Sequence, residues 1–214
     1  MNPALKNEFD LKAGEWDKNP MHWERSEAVA RQILDILPLK PWMRGLEYGA
    51  GTGITSFILK EYLKEITMVD FSLEMIRIIN EKIKASGAGN LKTMAYNLEK
   101  ERWNGDKFDL IFTQMVLHHI IDIDNIISKF HGMLNPGGFL AIADLYPEDG
   151  SFHGQDFSGH KGFNTKKLAQ LISKNYFEDI TYRKCFTITK NVTDRETRQF
   201  DVFLLTARRP KIHL

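Results

Sequence analysis

Glu47-Tyr48-Gly49-Ala50-Gly51-Thr52-Gly53 is the most informative run in the chain. It closes a short apolar strand candidate, Gly45 to Tyr48, and opens a helix that runs through about Leu63. Glycine at this density lets the backbone turn tightly between strand and helix, and leaves room for a ligand where a Cβ would otherwise stand. On either side the chain keeps alternating short β-like runs with longer helical ones. Glu65 to Asp70 reads as a second strand, and Ser72 caps a helix from Leu73 to about Lys84. Leu91 to Tyr96 and Phe108 to Gln114 read as strands three and four. Ile121 to Leu134 has helical periodicity and stops at Asn135-Pro136-Gly137-Gly138, after which Phe139 to Asp144 is a fifth strand. This order predicts a parallel sheet covered by helices on both faces.

The two ends read differently. Glu24 to Leu37 is an amphipathic helix with Val29, Ile33, Leu34 and Leu37 on one side, and Thr165 to Lys174 is another helix. Two β-rich runs, Ile180 to Thr189 and Phe200 to Ala207, are joined by the polar stretch Lys190 to Gln199. Two strands with only a loop between them are most simply an antiparallel pair.

Composition narrows the function. The 214 residues, 43% hydrophobic and 27% charged, suit one globular domain over 1–214. A formal net charge of +1 gives no global field to draw in nucleic acid or an anionic membrane. The one cysteine, Cys185, allows no internal disulfide and fits a reducing cytosol. Met1 to Lys18 is too polar for a signal peptide, and the longest apolar candidate, Phe108 to Ile121, is broken by Asp109, Gln114 and two histidines. A cytoplasmic protein is expected.

Asp70 ends the strand after the glycine turn, 23 residues beyond Glu47. A carboxylate there can accept from both ribose hydroxyls of an adenosine. The competing reading is a plain loop, which the acid at the next strand end disfavours. The run from Gly49 is G-A-G-T-G-I, without the third glycine of a dinucleotide fingerprint and without the lysine of a P-loop, so NAD and ATP are both disfavoured.

The pattern E-Y-G-A-G-T-G resembles motif I of the class I S-adenosylmethionine-dependent methyltransferases. Val69-Asp70-Phe71-Ser72, with Met75 on the next turn, is similar to motif II of that family. Phe108 to His119 (FDLIFTQMVLHH) is similar to motif IV in the branch related to quinone-biosynthesis methyltransferases, and Leu134-Asn135-Pro136-Gly137-Gly138-Phe139-Leu140 to the turn that follows it. The resemblance covers about residues 44 to 145. It implies a Rossmann-like, seven-stranded, mostly parallel α/β sheet with an antiparallel C-terminal strand and helices on both faces. It also implies S-adenosylmethionine as cofactor, S-adenosylhomocysteine as product, and in-line methyl transfer to O, N or C of a small molecule.

The cofactor-binding residues so implied are Trp16, Glu47, Gly49, Ala50, Gly51, Gly53, Asp70, Phe71, Met75, Thr113, Gln114, Met115 and His118. The family usually shows an acid and then a hydrophobe before the fourth strand; this chain has Asn97-Leu98, which is assigned to the adenine pocket. Residues 1–40 form the N-terminal lid and helix segment, 41–145 the cofactor-binding core, and 146–214 the substrate loop and antiparallel strands. In the first segment Phe9 reads as docking on the core, while for Trp16 lid and core readings both stand.

The transition state needs alignment and exclusion of water more than acid–base chemistry. Where the acceptor is a hydroxyl or ammonium, a proton must also leave, and histidine suits that near neutral pH. The run Asp144 to His153, then His160-Lys161-Gly162-Phe163, is too polar for core and follows strand five, so it reads as the substrate-facing loop. His153 is the first candidate base and His160 the second. His118 and His119 at the end of strand four have both a structural and a catalytic reading. No metal is expected, because the Asp-Asn partner of catechol methyltransferases is missing. The expected partner is a small-molecule substrate, with neither nucleic acid nor membrane, for a monomer or homodimer. The alternatives are a non-catalytic S-adenosylmethionine-binding sensor or partner subunit, and a protein methyltransferase.

Overall fold

A computed structural model describes residues 3–154 and 157–211 of the protein. Seven strands are found among them: β1 (Arg44–Tyr48), β2 (Glu65–Asp70), β3 (Leu91–Ala95), β4 (Phe108–Gln114), β5 (Leu134–Leu145), β6 (Glu178–Thr193) and β7 (Glu196–Arg208). They form one sheet in the order β3-β2-β1-β4-β5-β7-β6. The first five pair in parallel, and β7 lies between β5 and β6, antiparallel to both. This is the expected Rossmann-like architecture. The strand order reverses between β1 and β4, which opens a crevice at their carboxyl ends where open α/β sheets bind ligands.

Six α-helices are found among the described residues: α1 (Pro3–Lys12), which packs on α4, and α2 (Pro20–Ile36), α3 (Ile54–Leu59), α4 (Leu73–Ser86), α5 (Ile123–Met133) and α6 (Thr165–Lys174), which flank the sheet. Their starts follow from local chemistry. The Asn19 side chain accepts from the Met21 amide at 3.1 Å with Pro20 at the first helical position, and Ser72, Asp122 and Asn164 cap α4, α5 and α6 in the same way. Alternate residues along each strand face opposite sides. Ile111, Leu140, Ile142, Phe203 and Leu205 pack against α5 and α6, while Leu110, Phe112, Ala141, Val202 and Leu204 pack with residues of α2, α3 and α4. Each large apolar side chain buried in these two layers contributes about 1.5–3 kcal/mol. None of the helices among the described residues is long and apolar enough to cross a membrane.

Three details differ from the sequence reading. Asn135 to Gly138 does not separate helix from strand but bulges out of β5: Phe108 pairs with Leu134 and Leu110 with Phe139, while Gly137 and Gly138 bond to Arg209 on the next strand's extension. The polar stretch Lys190 to Gln199 is not a loop, because β6 and β7 stay paired to Thr193 and Glu196 and only Asp194 and Arg195 turn. Strand pairing uses backbone groups that polar residues also carry, and a ribbon with few buried side chains leaves no hydrophobic alternation to read. The N-terminal segment forms α1 and a 3-10 turn at Ala13–Lys18.

Candidate active site

The glycine turn takes its shape from three left-handed residues, Gly49 (φ 70°), Gly51 (φ 56°) and Gly53 (φ 78°). The amides of Gly49 and Ala50 both donate to the Val69 carbonyl, at 2.8 and 3.0 Å, which ties the turn to the end of β2. Gly51 N donates to Asp70 Oδ2 at 2.8 Å and Ser72 N to Oδ1 at 2.9 Å, so the carboxylate is held flat beside the turn. Asp70 is buried, and burial pushes its carboxyl up to about 6 even though these amides favour the anion. Glu47 lies beneath the turn, accepting from Ser56 Oγ at 2.5 Å and Ser56 N at 3.3 Å, with its carboxyl pushed up to about 7, again by burial.

A cavity of about 1150 Å³ opens at the carboxyl ends of β1, β2 and β4. One end is walled by Tyr48, Gly49, Gly51, Asp70, Phe71 and Met75, and the other by His118, His119, Phe152, His153, Phe157 and His160. Gln114 and Met115 line it between the two, and Met115 holds a left-handed backbone (φ 57°), a strain of the sort found at functional sites. A second space of about 40 Å³ is lined by Trp16, Arg25, Glu47, Ala50 and Gln114 among others.

The N-terminal segment roofs the cavity, pinned to the core by three bonds and braced by a fourth within itself. Asp17 Oδ1 accepts from Thr52 Oγ at 2.5 Å, Lys82 Nζ donates to Asp17 Oδ2 at 2.8 Å, Ser72 Oγ donates to Asp10 at 2.5 Å, and His22 Nδ1 meets the Trp16 carbonyl at 2.9 Å. Phe9 stands edge-on to Phe71 and His119, with ring centroids 6.0 and 5.5 Å apart. Phe9 is therefore part of the roof, not merely of the core.

The sequence-derived residues divide into two groups. Trp16, Gly49, Gly51, Asp70, Phe71, Met75, Gln114, Met115, His118, His153 and His160 all line the main cavity, and Glu47 and Ala50 the small one. Four others do not line either space. Thr113 is buried with its hydroxyl on the Tyr48 carbonyl (2.8 Å), and the Cα of Gly53 faces Met68, whose sulfur would stand 2.7 Å from an added Cβ. Leu98 is buried in the core, and the Asn97 side chain accepts from the Glu99 amide at 3.1 Å; Tyr96, one residue earlier, lines the cavity in their place. The turn after β3 directs Asn97 to its own backbone, which spacing alone cannot show.

Arg25 lines both spaces and is absent from the sequence-derived set. It is buried, its Nε has no hydrogen-bond partner, and burial pulls its guanidinium down to about 10. One signal was available: Arg25 stands one turn before Val29 on the apolar stripe of α2. The histidines gather more tightly than expected. His118 Nδ1 is 2.7 Å from Asp144 Oδ1, both fully buried, and the ring centroids of His118, His119 and His153 lie 4.1 to 5.1 Å apart. Removal of the rings from water, with the neighbouring His118 second, pulls His119 down to about 2 and His153 to about 3, so both rings are neutral. His160 joins them through its backbone, donating to the His118 carbonyl at 2.8 Å.

Residues 21–192 match the family described as "Methyltransferase domain". The chain belongs to the class I S-adenosylmethionine-dependent methyltransferases. An uncharacterised methyltransferase of Schizosaccharomyces pombe is 34% identical over 148 residues, 62% of this chain and 52% of that protein. A demethylmenaquinone methyltransferase of Geobacillus kaustophilus is 23% identical over 175 residues, covering 76% of this methyltransferase chain and 75% of the other. Among solved structures, the N-methyltransferase NodS from Bradyrhizobium japonicum, in complex with S-adenosyl-L-homocysteine, superposes with a TM-score of 0.68 at 20% identity, covering 91% of this chain and 90% of that one. The methyltransferase described here spans about half the length of the S. pombe relative, and less of some others.

Proposed function

We propose that the protein transfers the methyl group of S-adenosylmethionine to a nucleophilic atom of a small molecule held at the histidine end of the cavity. The observation that carries this reading is the single roofed space of about 1150 Å³ that runs from the glycine turn and Asp70 to the histidine wall. It exceeds the usual span of small-ligand pockets, about 300–1000 Å³, so a second small molecule fits beside the cofactor.

In this reading the Asp70 carboxylate accepts from the ribose hydroxyls, while Phe71, Met75 and Tyr96 wall the adenine. The Arg25 guanidinium is buried, its Nη1 reaches only the Met21 sulfur at 3.6 Å and its Nε has no partner, so it has donors left for an anion, and the cofactor's carboxylate supplies one. Glu47, in the same small space, faces the cofactor's ammonium. Trp16 stands beside the turn, with Nε1 3.8 Å from where a Gly51 Cβ would be, and Phe9 packs on it at 6.0 Å, so that the two rings shield the sulfonium from water. His153 and His160 stand at the acceptor end, placed to orient the acceptor; with its ring pulled down to about 3, His153 serves as a hydrogen-bond acceptor, and His160 is the residue proposed to take the proton.

The test is calorimetry with S-adenosylmethionine, followed by assay of S-adenosylhomocysteine release on a fractionated small-molecule extract. The expected result is stoichiometric binding and release that depends on one fraction. Binding without release on any fraction would favour a sensor or partner subunit, and absence of binding would overturn the reading.

A further inference from the structure

We propose that His118, His119 and His153 form a binding site for one divalent transition-metal ion of the zinc class, open toward the cavity. This proposal does not rest on methyl transfer. The sequence reading expected no metal, because no two histidines have zincin spacing, one cysteine cannot build a zinc knuckle, and the Asp-Asn partner of catechol methyltransferases is missing. The fold instead brings together three imidazoles, from the end of β4 and from the loop after β5.

Each of the three offers a ring nitrogen, and these atoms lie within 4.8 Å of one another. Ligands at about 2.0–2.1 Å from a tetrahedral zinc stand about 3.4 Å apart, so the longest gap must close by little more than 1 Å. His153 can supply that movement. The residue is exposed at the rim of the cavity on a loop between Gly150 and Gly154, and its ring is held by packing alone, stacked on Phe157 at 4.0 Å and edge-on to Phe152 at 4.8 Å, with no hydrogen bond to fix it among the described contacts.

Three further features suit a metal. His118 Nδ1 faces the buried Asp144 carboxylate at 2.7 Å, so Nδ1 carries the proton and Nε2 keeps its lone pair. A carboxylate behind a ligating histidine is the usual means of fixing tautomer and ring orientation. His119 Nδ1 is buried without any hydrogen-bond partner, a cost that a metal bond would remove. Imidazole ligands favour zinc, copper, nickel or iron over magnesium and calcium, and three of them leave the fourth tetrahedral position open. Lys190 and Lys12 both oppose a cation here, but the Lys190 ammonium is held on the Phe152 carbonyl and over the Phe152 ring, and Lys12 is paired with Glu8. Asp144 offsets part of the ion's charge. An ion here would present its open position to an acceptor and lower the pKa of a hydroxyl or water bound to it.

The experiment uses tag-free protein, stripped with chelator and titrated with cobalt(II), reading the visible d–d absorption, then displaced with zinc(II). One cobalt per chain with tetrahedral bands, displaced by equimolar zinc and not by excess magnesium, is the expected result. Asp144→Asn should weaken cobalt affinity by about 10- to 100-fold, the usual effect of losing such a carboxylate. His153→Ala removes an exposed ligand and should abolish the tetrahedral spectrum with the fold intact by circular dichroism. His131→Ala, outside the cavity, should change nothing. No stoichiometric binding, octahedral bands only, or a tetrahedral spectrum retained in His153→Ala would overturn the site. S-adenosylmethionine binding by the stripped protein is measured separately, so loss of the metal proposal leaves the functional reading standing.

Discussion

Gly49 and Gly51 share a left-handed backbone, yet the structure expects their alanine variants to fail differently. At either position an alanine must hold a left-handed conformation at a cost of about 1–2 kcal/mol. A Cβ on Gly51 would meet only Trp16 Nε1, at 3.8 Å. A Cβ on Gly49 would fall 2.4 and 2.9 Å from the two γ-carbons of Val116, which is itself part of the core. Overpacking of that kind adds about 1–3 kcal/mol. Gly51→Ala should therefore lose about 1–2 kcal/mol and Gly49→Ala about 2–5 kcal/mol, the sum of strain and clash. For a chain of this size each kcal/mol lowers Tm by about 2–4 °C. Val116→Ala removes both γ-carbons and leaves only its Cβ, at 3.2 Å, so it should recover most of the clash but not the strain. Urea denaturation of wild type, both single variants and the Gly49→Ala/Val116→Ala pair, without cofactor, then yields a coupling of about 1–3 kcal/mol in the rescuing direction. Additive effects, or a Gly49 variant no weaker than the Gly51 one, would refute this account of the turn.

Asp70→Ala should leave the fold intact and weaken S-adenosylmethionine binding by about 1.5–3 kcal/mol, the range for hydrogen bonds to a charged group, as calorimetry will show. Because burial raises Asp70 from 3.8 to about 6, the apo protein loses stability from this group as pH rises through that window, whereas cofactor affinity rises as the carboxylate forms. Glu47 titrates near 7, so binding the cofactor's ammonium near pH 6.5 should release protons. That release is detectable as a dependence of binding enthalpy on buffer ionisation heat, and Glu47→Gln should cut it to the smaller share that comes from Asp70. Asp17→Ala cuts the roof from Thr52 and Lys82; it should cost about 1 kcal/mol or less. It should speed cofactor dissociation in stopped flow and raise amide exchange in residues 9–18, and an unchanged dissociation rate would separate the roof from cofactor retention.

Much of this fold is legible in the chain because its signals are local. The glycine turn, the cap at Ser72, the apolar strand cores and the position of Asp70 after Glu47 each depend on neighbours within one strand–turn–helix unit. Such units specify a parallel sheet and the carboxyl-end crevice before any long-range contact is known. Where side chains do little packing, as in the polar end of the β6–β7 ribbon, periodicity carries no signal and its extent was missed. The site is another matter. Arg25 reaches it from a helix before the sheet begins, and His118 meets Asp144 and His153 only because β4 and β5 pair with Gln114 opposite Ala143. That register brings the ends of the two strands side by side, and hence the loops that follow them. Periodicity along the chain reports which face of an element is buried; which buried groups meet depends on strand order and register, and those are properties of the assembled sheet.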